Sequence, residues 1–540
     1  MMGQASLAQA PTATESATLI DGLGTYSRRI STDSQLAQQF FDQGLRLTYG
    51  YYFPEAIASF QQALQHDPEH PMLYWGMALA MGPNPNSRFL NFPDDPHGEA
   101  HKAIMAARAR AAKATPVERA LIDALYVQFD IETFANRDER DLKYIEATRK
   151  VRDTYPNDLE ANFLLADAIM THSRWSYWRR DGSPLPRTSD AASALEHIMS
   201  IDPKHPGAVH LYIHLFESST KPERALPQAD LLESLMPDAG HVVHMPSHIY
   251  VRVGQYDKAI ASNERSLAAD RKLNSIWGAR QLPSLGTYGM SHRTHARHAW
   301  DFKRYSAMFQ GNYARALEAA KAAAAGQSHQ GVGGAHRQQS TVWLIHKVFG
   351  KWDAILAEPE PAQWSAYLKG MWHYVRGSAF VGRREFEKAE NELELLKSTE
   401  KDPSIKDLLA LANPARKVLQ LAAHGLEGEI AMGRRKYTAA VAAFDAAVRV
   451  QETLTYVEPP DWGQSIRLYL GNALLKARRP RDAERVYRAD LAEFRENGWA
   501  LFGLWQSLRA QGKSREARQI RVRFERAWKG SDVTLHASVF

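Results

Sequence analysis

FFDQGLRLTYGYYFPEAIASFQQALQHDP, residues 40–68, is the stretch whose reading decides the fold. It is a helix hairpin. Gly44, Ala56 and Ala63 are small residues standing where two helices cross closely. Phe60 fills the gap between them, and Pro68 follows the second helix, which it cannot continue.

The same register recurs along the chain. Tyr437, Ala440, Phe444 and Ala447 repeat it, with Gly428 at the crossing of the preceding helix. Gly377, Phe386 and Ala389 repeat it again, as do Tyr256 with Ala259 and Tyr313 with Ala316. Partial copies are Leu470-Gly471 with Ala483, and Trp499 with Gly503. A hairpin of about 34 residues with this spacing resembles the tetratricopeptide repeat, over most of residues 34–530. The resemblance implies an all-α solenoid of roughly ten to fourteen hairpins, each touching mainly its neighbours.

The chain divides accordingly. Residues 1–33 read as a disordered or processed tail, beginning MMGQASLAQAPTATES, and 34–205 as N-terminal repeats. Residues 206–330 are central repeats with an insertion at 274–296; 331–530 are C-terminal repeats, and 531–540 a second tail. Breaks in the register fall at 91–99, at 179–190 and at 326–339, all rich in turn residues.

Composition removes several classes of function. The 540 residues carry no cysteine, so disulfides, thiolate ligands and cysteine nucleophiles are excluded. A net charge of +6 with interleaved signs offers no basic stripe, so nucleic acid is not an expected partner. No apolar run reaches the length of a membrane span. Ala8-Gln9-Ala10 resembles the end of a secretory signal, but no charged and apolar regions precede it. Export and a cytoplasmic location both stay open. GVGG at 331–334 lacks the Lys-Ser/Thr of a phosphate loop, and no nucleophile elbow or dinucleotide fingerprint is present.

Histidine carries the chemistry. Nine of the 21 histidines lie between His205 and His298. Numbered from the start of their first helices, Pro206 and Gly240 are both position 1, 34 residues apart. His210, His214 and Glu217 are then positions 5, 9 and 12 of one repeat, and His241, His244 and His248 are positions 2, 5 and 9 of the next. Counting back from Tyr313 and Ala316, across the insertion, makes His298, Asp301 and Tyr305 positions 2, 5 and 9 of a third. At about 100° per residue these positions share one helix face. The resemblance implies that this face lines the concave groove.

Two imidazoles at i and i+4 converge on one ion, as in zinc helices. His210/His214 and His244/His248 are two such pairs. Without cysteine the donors are nitrogen and oxygen, which suits zinc, iron or copper. Glu217, His298 and Asp301 complete the expected ligand set. Glu217 and Asp301 would serve either as oxygen ligands or as carboxylates that orient imidazoles. His241 is a ligand or a general base, and Tyr305 a second catalytic candidate. The Trp175, Tyr177, Trp178, Arg179, Arg180 cluster, Asp167, and His292 and His295 in the insertion stand nearby as weaker candidates. A long insertion beside a site is where lids occur.

The block HVVHMPSHIYVRVGQY, residues 241–256, resembles a bacterial group of long tetratricopeptide proteins. Tyr456–Trp462 and Asn497-Gly498-Trp499 are similar to that group as well. This likeness implies a fold and no particular reaction. Three functions fit the sequence. One is a metal-dependent enzyme, hydrolytic or oxidative, acting on a small molecule or peptide in the groove. Another is a non-enzymatic scaffold binding a peptide or protein there. The third is a metal carrier or sensor.

Overall fold

A computed structural model describes residues 16–278, 280–283, 290–325, 334–360 and 365–540. Helices account for nearly all regular structure, and the described residues contain two isolated β-bridges and no strand. None of their helices is long and apolar enough to cross a membrane.

The hairpin register is physically present. A side chain on Gly44 would lie 2.7 Å from the Phe60 ring, and one on Gly76, in the next hairpin, 2.5 Å from it. One aromatic wedge thus locks two neighbouring hairpins. Phe444 sits against Gly428 in the same way, and Tyr487 sits between Gly471 and Gly503. The aromatics Phe53, Tyr256, Tyr313, Phe386 and Tyr437 each open the second helix of a hairpin. The alanines three residues on, Ala56, Ala259, Ala316, Ala389 and Ala440, are fully buried at helix crossings.

Both tails differ from expectation from the point where they are described. Residues 16–33 form an extended strap whose Ala17, Ile20, Leu23 and Ile30 are buried. Arg28 pairs with Asp158 at 3.0 Å, and the Tyr26 hydroxyl donates to Glu160 at 2.8 Å. Apolar residues every third or fourth position give this polar-looking segment a face to bury. The C-terminal residues 531–540 likewise pack, with Leu535 and Ser538 buried and the Phe540 ring on Trp499. The insertion at 274–296 is partly helix, since Tyr256–Trp277 runs on as one helix of 22 residues. Positions 279 and 284–289 of it lie outside the described residues, as do 326–333 of the glycine-rich break. From Gly334 that break is already helix, continuing to Val348.

The C-terminal repeats return to the centre. The Trp499 indole donates to the Met308 carbonyl at 2.9 Å, and the Tyr256 hydroxyl to the Arg495 carbonyl at 2.8 Å.

Candidate metal centre

Three helix starts bring the histidines together. His205 caps the helix Pro206–Glu217, accepting from the Ala208 amide, and Pro206 occupies its first position. The next helix is interrupted. Gly240–His244 and Pro246–Val253 are separate helices joined at Met245, because Pro246 has no amide to donate. Gly240 is required for packing: a Cβ there would clash with the Asp270 carboxylate. The third helix is Ala296–Phe309.

The imidazoles form one continuous buried cluster. Ring centres are 4.8 Å apart for His210 and His214, 5.1 Å for His210 and His241, and 4.9 Å for His244 and His248. His298 joins at 4.7 Å from His244, so the register carried across the insertion places it with the others. His295 stands 5.3 Å from both His241 and His244. His210, His214, His241, His244, His248 and His295 are all buried, and His298 is half-buried. The inner face is therefore a closed chamber rather than the open groove expected from the repeat.

Most of the rings have Nδ1 held by an acceptor, and several have a bare Nε2. His210 Nδ1–H donates to the Tyr49 carbonyl at 2.5 Å, and His214 Nδ1–H to Glu217 at 2.8 Å. His248 Nδ1–H donates to the other oxygen of Glu217. Asn263 gives its amide N–H to the Ala259 carbonyl at 2.7 Å, which turns its oxygen toward His244 Nδ1–H at 2.6 Å. His295 Nδ1–H donates to Asp270 at 2.7 Å and His292 Nδ1–H to Glu55 at 2.5 Å. The Nε2 atoms of His210, His214, His292 and His295, and both ring nitrogens of His241, have no hydrogen-bond partner among the described residues. The Nε2 atoms of His244 and His248 face each other at 3.0 Å. Two nitrogens bound tetrahedrally to one ion at about 2.1 Å are about 3.4 Å apart.

Electrostatics keep most rings in the ligand form. Burial pushes His210 down to about 4, and His214, His241, His244 and His298 well below the ordinary histidine range. His248 is the exception. Burial pulls it down, but the Glu217 carboxylate outweighs this and raises it to about 9. Aromatic rings wall the chamber: Tyr51 stacks at 15° on His214 and on His241, and Phe302 lies 4.4 Å from His248.

Glu217 contacts two rings, as the orienting role expected for it requires, and with His248 and Glu458 it also offers ligand atoms within 4.8 Å of one another, as the ligand role requires. Both of its oxygens accept from imidazoles, so it holds ring directions. Asp301 differs from expectation. Its carboxylate lies between Arg304 and Arg337, each at 2.6 Å, and also accepts from Gln338. Burial would raise this acid, but the two guanidiniums hold it well below the usual carboxylate range. It is a short helical step from His298, yet Arg337, from a distant helix, reaches it first. Tyr305 is seven residues beyond His298, about 10 Å along the helix. It lines a cavity of about 90 Å³ with Arg252, Tyr456 and Glu458 rather than the chamber.

Several participants escaped the repeat register. Glu55, Asn263 and Asp270 lie on second helices of their hairpins, and Glu458 lies in a loop 3.5 Å from His248 Nδ1. Among the weaker candidates, Trp175 packs edge-on against His214 at 4.8 Å, while its indole donates to Asn86. Trp178 donates to the Leu215 carbonyl, and Arg180 is half-exposed. Burial lifts Asp167 to about 7, beside Tyr144 and Tyr177.

No family model matches the chain, and no curated protein matches it. Among solved structures, a human IFIT1 dimer with m7Gppp-AAAA is similar at 14% identity, covering 88% of this chain and 95% of that one, with a TM-score of 0.33. Yeast Tom70 is similar at 12% identity over 92% of each chain, with a TM-score of 0.30. The APC/C hetero-tetramer Cut9-Hcn1 is similar at 13% identity over 91% of this chain and 76% of that one, with a TM-score of 0.33.

Proposed function

We propose that this protein is a metal-dependent enzyme whose ion is held by the imidazoles of the closed chamber. The observation that carries this reading is the set of inward ring nitrogens. His210, His214 and His295 have Nδ1–H committed to acceptors, so Nε2 carries a lone pair. His241 adds a fourth inward ring with neither nitrogen partnered among the described residues. A buried polar atom without a partner costs about 1–3 kcal/mol. Those of His210, His214 and His241, whose ligand atoms lie within 4.8 Å of one another, together cost on the order of 3–9 kcal/mol, comparable to the stability of a whole domain. A metal ion can be shared by all of these lone pairs at once, whereas a water, with two O–H donors, satisfies two.

A bound ion of this kind supplies a Lewis acid and a metal-activated water or oxygen ligand. The chain's part is to fix direction and exclude water. Glu217, Asn263 and Asp270 set the ring orientations, and Tyr51 and Phe302 wall the site. All-imidazole donation favours zinc or copper, with iron next. A peptide docked along these histidines would need them exposed, and burial favours a small ligand instead.

Elemental analysis of the untagged protein after dialysis tests the reading. At least one zinc, copper or iron per chain, removed by a strong chelator together with turnover of hydrolytic or oxidative substrates, is expected. A metal-free protein that takes up none of the three ions would overturn it and leave a helical repeat scaffold.

A further inference from the structure

We infer that the chamber holds two ions rather than one, one in each of two imidazole triads. This rests on the metal reading above and goes beyond it. His210, His214 and His241 present ligand atoms within 4.8 Å of one another, and so, separately, do His244, His248 and His298. Three protein ligands with a fourth position open is the arrangement of a catalytic ion. Six imidazoles exceed what one such ion takes.

The two triads are built alike and share a wall. Each has its own aromatic plate, Tyr51 at 4.7 Å from His210 and Phe302 at 4.7 Å from His244. The triads touch through His214 and His248, ring centres 5.6 Å apart, and through His241 and His244 at 6.0 Å. Glu217 spans them, one carboxylate oxygen on a ring of each. A single carboxylate thus orients both sites, which ties their geometry together.

Charge points the same way. Two divalent ions among neutral imidazoles would bring four positive charges into a buried space. Glu217 and Asp270 are fully buried acids bonded to rings of the cluster, and Glu458 lies beside His248. Three acids exceed the charge of one divalent ion and offset most of that of two. His295 stands at the junction, 5.3 Å from a ring of each triad, and its Nε2 has no hydrogen-bond partner among the described residues. The junction is where an oxygen ligand bridging two ions would sit, and two-metal sites place their ions roughly 3.5–4 Å apart. The second triad contains the half-buried His298, so it is the side from which such a ligand enters.

The test uses the full chain, stripped with chelator and reloaded separately with zinc(II) and copper(II), with metal per chain read by elemental analysis after desalting. Two ions per chain are expected for the parent with at least one of the two metals. His210→Gln and His298→Gln should each fall to one, and the double variant to none. In the copper-loaded parent, magnetic coupling should diminish the copper electron paramagnetic resonance, and each single variant should restore an isolated copper signal. One ion per chain in the parent would overturn the two-ion inference and leave the metal reading standing. No uptake of either metal, nor of iron(II) loaded in the same way, would overturn both. Loss of both ions in each single variant, with helicity by circular dichroism retained, would mean one undivided site and would also overturn the inference. If a variant fails to fold, the parent's stoichiometry and copper signal decide.

Discussion

Acidifying the metal-free protein should destabilise it sharply below about pH 6.5, the ordinary histidine value. His205, His210, His214, His241 and His244 are buried, and burial holds all five below that value, His205 to about 3 and His210 to about 4. In the unfolded chain they titrate normally. Their neutral burial therefore adds nothing unfavourable above the unfolded value, and stability is lost as pH falls toward the folded values. One pH unit below the unfolded value, each such group costs about 1.4 kcal/mol, so five cost at most about 7 kcal/mol, a loss partly offset by Glu217 and Asp167, which burial raises to about 7 and which protonate over the same interval. His248 has the opposite sign. Raised to about 9, its contribution is complete below the unfolded value and is lost as pH rises through 9, so it leaves the acid limb unchanged. Urea unfolding in chelator, followed by circular dichroism from about pH 7.5 to about pH 5.5, reads this directly as a falling midpoint. Stability that stays level across that interval would show that the rings are not buried as neutral imidazoles, and the argument from inward lone pairs would fall with it.

Asn263→Ala should weaken metal binding by about 10–100-fold in competition with a chromogenic chelator, since His244 loses the acceptor that orients it; parent-like affinity would refute this. Asp301→Asn should lower stability by about 3–5 kcal/mol by leaving Arg304 and Arg337 underpaired, with metal content unchanged. Loss of the ion in that variant, at normal helicity, would return Asp301 to the ligand set. Gly76→Ala should cost about 1–3 kcal/mol in urea unfolding, because its Cβ would press on Phe60 at 2.5 Å; a neutral result would mean that the wedge is not tight. His424→Ala, which removes a half-exposed partner of Glu427, should change stability by no more than about 0.5 kcal/mol and leave metal content as in the parent.

The hairpins were legible because close helix crossings demand small residues at fixed spacing. Gly44 with Phe60 and Gly428 with Phe444 announce themselves locally. The inward histidines were legible for the same reason, since positions on one helix share a face. What surrounds them was not. Glu55 is 237 residues from His292, and no periodicity links them. Asp270 reaches His295 only because Gly240 leaves room, a fact that belongs to packing. Asp301 satisfied the helical face rule, yet Arg337, 36 residues later, took its charge. Helix phase tells which way a side chain starts out; it is silent about which partner arrives from another repeat.

The strap at residues 16–33 and the returning C-terminal repeats bear on how the chain folds. A linear array of repeats has low contact order, and any fragment of several units can form independently. Here the first hairpin is stitched to repeats far along the chain: the Tyr52 hydroxyl donates to Asp270, and Tyr49 offers its carbonyl to His210, 161 residues on. Closing such loops sacrifices chain entropy before any contact rewards it. Cooperativity should therefore link distant repeats rather than run only along the row, and no single repeat carries the whole chamber. Ion binding would report completion of the fold, arriving only after the earliest and the later repeats have met.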